Sequence, residues 1–469
     1  MISMRKDYLR GIILGLAATA LTACASNPLS NLPFINTNND IEEENVAADD
    51  QRKSVLALDT GLVADAKYAN AEIQLPPPYV NAAWTQPGGD ADHALYHLGA
   101  TLNLSRVWST NIGAGSTKRS PLLAPPVIAD GRIFAVNAKA EVTAYDVNTG
   151  KRIWRTSLTP DVSERKKFWQ IGSEKAAEIG FGGGLAYDAG RVFLTSGFGF
   201  VAGLDAETGN VLWQEETAAP VRTAPTAANG HVYIVTNTNE FIAFNQETGE
   251  SEWDFQSFEE NARFLSSSSP AAIEEVVVAP FSSGEVAALL TENGRQIWSQ
   301  TIARSSRLTA LSNLNDIAGS PVIDQGVVYA ISHAGQMSAL DLRSGQTVWE
   351  TAISGLQTPW VAGDYIFVIS VDSELVCLTR ESGEVVWVKQ LPRHENEKKK
   401  KKRIAWAGPV IAGGNLILAS SHGQLITVSP QNGEINNTRK IGKGTLIKPV
   451  VANERLFILS TDGKLTAYQ

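Results

Sequence analysis

One phrase recurs along this chain and constrains its fold more than any other feature: Ala144-Tyr145-Asp146-Val147-Asn148-Thr149-Gly150, followed four residues after the glycine by Trp154. Asp205, Gly209 and Trp213 repeat it, as do Asn245, Gly249 and Trp253, and Asp341, Gly345 and Trp349. Weaker copies run from Gly294 to Trp298 and from Gly383 to Trp387, and one copy keeps Gly433 but carries Asn437 in the tryptophan position. A motif returning every ~40–60 residues marks a repeat architecture, in which each unit is one supersecondary element that buries its apolar face against the next.

The residue types explain themselves physically. Apolar residues before the Asp or Asn end a strand. The Asp or Asn side chain starts a turn by bonding nearby backbone, and glycine supplies the positive φ that closes it. The tryptophan opens the next strand and places a large ring between neighbouring sheets. A second shared piece lies upstream, seen at Pro126 to Phe134, Pro225 to Tyr233 and Pro321 to Tyr329, with later copies starting at Pro409 and Pro449. Together the pieces read strand, turn, strand, turn, strand, glycine turn, tryptophan strand. The expected fold is therefore all-β, built of four-stranded antiparallel propeller blades. Arg106-Val107-Trp108-Ser109 is a tryptophan strand with no blade before it, whereas the last repeat, Pro449 to Gln469, lacks one. Pairing the two closes the ring and removes open sheet edges. Trp108, the six motif tryptophans and the Asn437 position then predict an eight-bladed β-propeller over 102–469, closed by its N-terminal strand.

The first residues differ in kind. Arg5, Lys6 and Arg10 precede an apolar stretch, Gly11 to Ala23, that ends in Leu21-Thr22-Ala23-Cys24. A basic head, a short apolar core and small residues before a cut site make a secretory signal at 1–23. The apolar run is shorter than the ~20 residues a comfortable membrane span needs. Cys24 after Leu-Thr-Ala resembles a bacterial lipobox, which implies acylation of that cysteine, whose several chains would anchor stably. The plain alternative is an ordinary signal peptide. Ala25, in place of Asp, leans toward outer-membrane sorting. Residues 24–101 read as the acylated cysteine and a mostly flexible acidic tether, rich in Asn, Asp and Glu between Asn36 and Asn45 and stiffened by Pro76-Pro77-Pro78. His93 and His97 read as two unrelated surface histidines rather than a metal pair.

A net charge of −9 and a pI near 5.4 argue against nucleic-acid binding. The basic run Lys398 to Arg403 is a loop on one face of the ring, either a solvated insert or a contact for anionic lipid head groups. Cys377, in a strand, reads as a small buried hydrophobe. Three long connections break the regular spacing: 159–184 with Phe168 and Trp169, 256–269 with Arg263, Phe264 and Leu265, and 302–320 with Asp316. Surplus length in propeller loops is where binding is sought. No histidine and carboxylate cluster has zinc spacing, Gly113 to Lys118 lacks the Gly-Lys-Ser/Thr ending of a phosphate loop, and no nucleophile elbow occurs. The expectation is a non-enzymatic protein with no catalytic residues, metal or cofactor.

The Asp-x-x-Thr-Gly-x-x-x-Trp repeat resembles that of quinoprotein dehydrogenases, eight-bladed propellers holding pyrroloquinoline quinone (PQQ) and calcium. That reading, as enzyme or remnant, is the runner-up, since those alcohol dehydrogenases carry an adjacent-cysteine disulfide this chain cannot form. The whole chain resembles the BamB family of outer-membrane β-barrel assembly (BAM) lipoproteins, most specifically in Ala318 to Ile323, Gly326 to Ala330 and Ala339 to Gln346. The resemblance implies a scaffold at the periplasmic face of the outer membrane, lipid-anchored through Cys24, that binds the POTRA domains of a BamA homologue and other assembly subunits, with unfolded outer-membrane protein clients as further candidates. It places the partner-binding residues at Arg263, Phe264, Leu265 and Asp316. A second family acid would fall at Ala318, where this sequence departs.

Overall fold

Opposite each motif tryptophan, across the strand pair that carries it, stands a small residue: Ala144 faces Trp154, Gly203 faces Trp213, Ala243 faces Trp253, Ala288 faces Trp298 and Ala339 faces Trp349. Cys377 faces Trp387, and Ala467 faces Trp108. In the six blades with a motif tryptophan the ladder shifts by one residue at this point, a bulge that turns the residue before the tryptophan outward. Ile153, Leu212, Ile297 and Val348 are exposed for that reason, while the rings beside them are buried. Cys377 is thus a buried small residue, as expected, and burial pushes its thiol pKa up.

The computed structural model describes residues 61–117, 120–160, 182–258, 268–302 and 316–469. Eight four-stranded antiparallel sheets form the blades of a β-propeller. In chain order blades 1 to 7 span 127–157, 183–216, 226–256, 271–301, 322–351, 360–390 and 406–440. Blade 8 takes three strands from 450–468 and its outer strand, Arg106–Asn111, from the other end of the ring. That strand pairs antiparallel with Lys464–Tyr468, from Arg106 against Tyr468 to Asn111 against Lys464, so the expected closure through Trp108 is present.

Each tryptophan joins its own blade to the next. Trp154 Nε1 donates to the Ala206 carbonyl at 3.0 Å, Trp213 to Gln246 at 3.0 Å, Trp298 to Leu342 at 2.7 Å and Trp349 to Arg380 at 2.9 Å. Trp108 reaches Val147 in the same way at 3.0 Å, across the closure. The ring lies on the turn glycine of that next blade. A Cβ on Gly150 would stand 2.5 Å from the Trp108 ring, and one on Gly209 would be 2.5 Å from Trp154. The turn itself is held by its acid: Asp146 Oδ1 accepts from the Thr149 N–H at 2.8 Å and its hydroxyl at 2.7 Å. This arrangement explains Asn437. Blade 8 draws its fourth strand from 106–111, so it has no Asp-Thr-Gly turn between its third and fourth strands, and a tryptophan at 437 would have no glycine to lie on. The residue opposite Asn437 is Thr427, no longer a small apolar one.

Residues 61–101, expected to be mostly flexible tether, instead form with 102–104 a strap bound to the propeller as part of one compact unit, 61–469. The reason is apolar content that a tether would not bury: Ile73, Trp84, Leu95, Leu98 and Leu104 are 0–2% exposed. The strap starts on blade 6, where the Asp65 N–H donates to the Val385 carbonyl and Lys67 pairs with Glu384 at 2.5 Å. It crosses blade 7 through a hydrogen bond from the Ile73 N–H to Gln431 at 2.9 Å and then enters the centre of the ring.

Candidate functional site

The antiparallel blades sort their connections onto two faces. The link from the fourth strand of one blade to the first of the next, together with the turn between second and third strands, lies at one end of the ring. The other two turns of each blade lie at the opposite end. All three long connections therefore leave from the same end, which we term the insert face. Arg263, Phe264 and Leu265 lie outside the described residues, as do Cys24, Phe168 and Trp169. The described parts of this face carry exposed apolar side chains. Phe258, at the start of the connection between blades 3 and 4, is 79% exposed, and Leu356 and Leu446 on two other connections are 41% and 39% exposed.

Asp316 departs from expectation. Its side chain is 4% exposed, not presented at a rim. The apolar Ile317 and Ala318 beside it are buried and draw the segment inward, and the Asp316 carbonyl accepts from the His333 N–H at 3.0 Å. The lysine run is a hairpin between blades 6 and 7, with His394–Asn396 paired to Lys401–Arg403. Lys398 to Arg403 are all exposed, and Lys402 pairs with Glu395 at 2.5 Å.

The opposite end of the ring is closed by the strap, which meets the first strand of every blade or the turn that follows it. Trp84 exchanges both main-chain hydrogen bonds with Ile128 of blade 1 at 2.8 Å. The Gln86 side chain donates to the Tyr187 carbonyl of blade 2 at 3.3 Å and to Ala227 of blade 3 at 2.8 Å, and accepts from the Ala227 N–H. The Ala91 and Asp92 carbonyls accept from Ala272 of blade 4 and Ile323 of blade 5. Trp360 Nε1 of blade 6 donates to the Tyr96 carbonyl at 2.7 Å, the Leu98 N–H donates to Ile411 of blade 7, and Asn81 bonds Asn453 and Val451 of blade 8. The strap is thus the floor of the central channel, with Trp84 stacked on Trp360 at 6.4 Å between ring centroids.

His93 and His97, expected at the surface, are buried in this floor at 3% and 6% exposure. Each bonds a backbone carbonyl through Nδ1, His93 to Pro321 and His97 to Pro76, both at 2.7 Å. Burial first, and then the charge of Lys448, lower the His93 pKa to about 4, so it is neutral near pH 7. Above the floor a cavity of about 70 Å³ opens toward the insert face, bordered by Pro87, Ser320, Gln357, Thr358 and Lys448. Lys448 retains some solvent-exposed surface, yet protein surrounds it closely enough that burial pulls its ammonium down to about 8. Its Nζ lies 5.8 Å from the centroid of the Trp84 ring. No group of three or more His, Cys, Asp or Glu positioned to hold a metal occurs among the described residues. Sequence reasoning missed Trp84, Gln86 and Lys448 and read His93 as a surface residue. A tryptophan inside a supposed tether was the one available sign.

A family model described as outer membrane protein assembly factor BamB matches residues 105–165 and 161–389. The protein of that name from Yersinia pestis is 29% identical over 365 residues, 78% of this chain and 88% of the relative. Among solved structures, BamB from Moraxella catarrhalis aligns with a TM-score of 0.64 at 22% identity, over 78% of this chain and 99% of that one. A europium-containing methanol dehydrogenase aligns with a TM-score of 0.63 at 13% identity, over 80% and 89%. At such identities the structural likenesses speak for the fold alone.

Proposed function

This chain belongs to the family of the outer membrane protein assembly factor BamB, and from that premise we propose that it is a non-enzymatic scaffold of an outer-membrane β-barrel assembly complex. The observation that carries this reading is the family match across 105–389, most of the ring. The architecture supports it: one end of the ring is sealed by the protein's own strap, and the other gathers the long connections and the exposed Phe258, Leu356 and Leu446. These exposed side chains are spread around that face on the connections between blades 3 and 4, 5 and 6, and 7 and 8, and a few such residues come to dominate a protein interface.

The partner we assign to the insert face is a BamA-type subunit, through its POTRA domains, with Arg263, Phe264 and Leu265 as direct contacts. Asp316, buried in the free protein, would act by positioning the neighbouring connection. The anchor we assign is an acylated Cys24 at the periplasmic side of the outer membrane. Among the described residues no helix is long and apolar enough to cross a membrane. The test is capture of the BamA homologue from detergent-solubilised outer membrane by the intact protein and by Phe264→Ala/Leu265→Glu. The double variant should melt like the parent and lose the partner. Retention of the partner at parental affinity would overturn the assignment of these residues, and absence of the homologue from the parental capture would overturn the scaffold reading.

A further inference from the structure

Lys448 is out of place in this molecule. The chain has 49 acidic residues against 40 basic ones, yet among the described residues no carboxylate forms an ion pair with Lys448, whose ammonium instead lies over the face of Trp84. Enclosing an ammonium group is costly unless an opposite charge or hydrogen-bond acceptors replace the lost water. The depressed pKa expresses that cost, and its sole cause is burial. Polar atoms without a hydrogen bond lie close to Lys448. Trp84 Nε1 and His93 Nε2 are buried and make no hydrogen bond. The first is a donor only, and the second becomes a donor on protonation. The Gln357 and Thr358 side chains border the same space, and Ser320 Oγ, also at the border, accepts from the Ser269 N–H at 2.9 Å.

We propose that the central cavity above the strap is a binding site for one small oxyanion, a carboxylate or phosphate group, held by the Lys448 ammonium with Gln357 and Thr358 beside it. The volume of about 70 Å³ would hold roughly five waters or one such group. The strap closes the channel beneath Lys448, so the site is reached from the insert face. An anion there supplies the missing counter-charge and returns Lys448 to full protonation. The inference rests on this geometry and not on the scaffold reading, and its test uses no assembly partner.

The experiment is calorimetric titration of the intact purified protein at constant ionic strength near pH 7, with inorganic phosphate in one arm and acetate in the other. Saturable one-site binding is expected in at least one arm, and the arm that responds identifies the anion class. Lys448→Met should weaken it by about tenfold or more, as loss of a partly buried charge pair does, while Lys448→Arg should retain most of the affinity. Lys448→Met removes an unpaired enclosed charge, so its melting curve should match or exceed that of the parent. That result separates loss of binding from loss of fold. Absence of saturable binding in both arms, or equal binding by Lys448→Met and the parent, would overturn the proposal.

Discussion

Two glycines of blade 5 provide an internal control on how neighbouring blades are joined. Gly326 and Gly345 both sit in left-handed backbone, at φ +79° and +69°. A Cβ on Gly326 would meet nothing within 4 Å, whereas one on Gly345 would lie 2.7 Å from the Trp298 ring of blade 4. Alanine at either position carries the left-handed penalty of about 1–2 kcal/mol. At Gly345 it must also displace a ring that is 6% exposed and hydrogen-bonded to the Leu342 carbonyl at 2.7 Å. Overpacking of that kind costs about 1–3 kcal/mol more. With an unfolding entropy of about 2.1 cal/mol/K per residue over roughly 400 residues, each kcal/mol lowers Tm by about 1.2 °C. Gly326→Ala should therefore lower Tm by about 1–2.5 °C and Gly345→Ala by about 2.5–6 °C.

The decisive measurement is the cycle with Trp298→Ala, read by thermal unfolding followed by far-UV circular dichroism. Once the ring is gone, Gly345→Ala should cost no more than Gly326→Ala, because contacting residues are non-additive when one removes what the other clashes with. Equal penalties for the two glycines in the parent protein, or a Gly345→Ala penalty unchanged by Trp298→Ala, would refute the claim that the turn glycine serves as the seat of the preceding blade's tryptophan.

Deleting 106–111 unpairs Lys464–Tyr468 and removes a 9%-exposed tryptophan whose truncation alone costs about 3–5 kcal/mol; the variant should aggregate or melt well below the parent, and an unchanged Tm would contradict closure by this strand. His93 has its folded pKa lowered from 6.5 to about 4, so the unfolded state binds the proton more readily. The stability it supports is present above pH 6.5 and is lost as pH falls toward 4, about 2 kcal/mol of it by pH 5. Amide exchange in residues 76–101 should therefore accelerate between pH 7 and 5, after correction for intrinsic rates, more in the parent than in His93→Gln; equal acceleration in the two would exclude His93 as the cause. Cys24→Ser should abolish labelling by a radioactive fatty acid while the propeller still folds, and persistent labelling would remove the lipobox assignment.

The blades were legible in the sequence because their determinants are local and periodic. Acid, glycine and tryptophan lie within one turn and the strand after it, and the contacts between blades repeat with the chain, so the substitution at Asn437 and the unattached strand at Trp108 could be read as the seam of a ring. The strap left no such mark. Trp84, Gln86, Ala91, Asp92 and Leu98 each touch a different blade, so nothing in their spacing repeats, and the charge and proline content nearby resemble a linker. Only closure of the ring brings eight first strands around one segment and turns those residues into a floor. The same closure places Lys448, an unremarkable lysine before a proline in the sequence, over a tryptophan more than 350 residues away in the chain. It also buries Asp316, beside the buried Ile317 and Ala318.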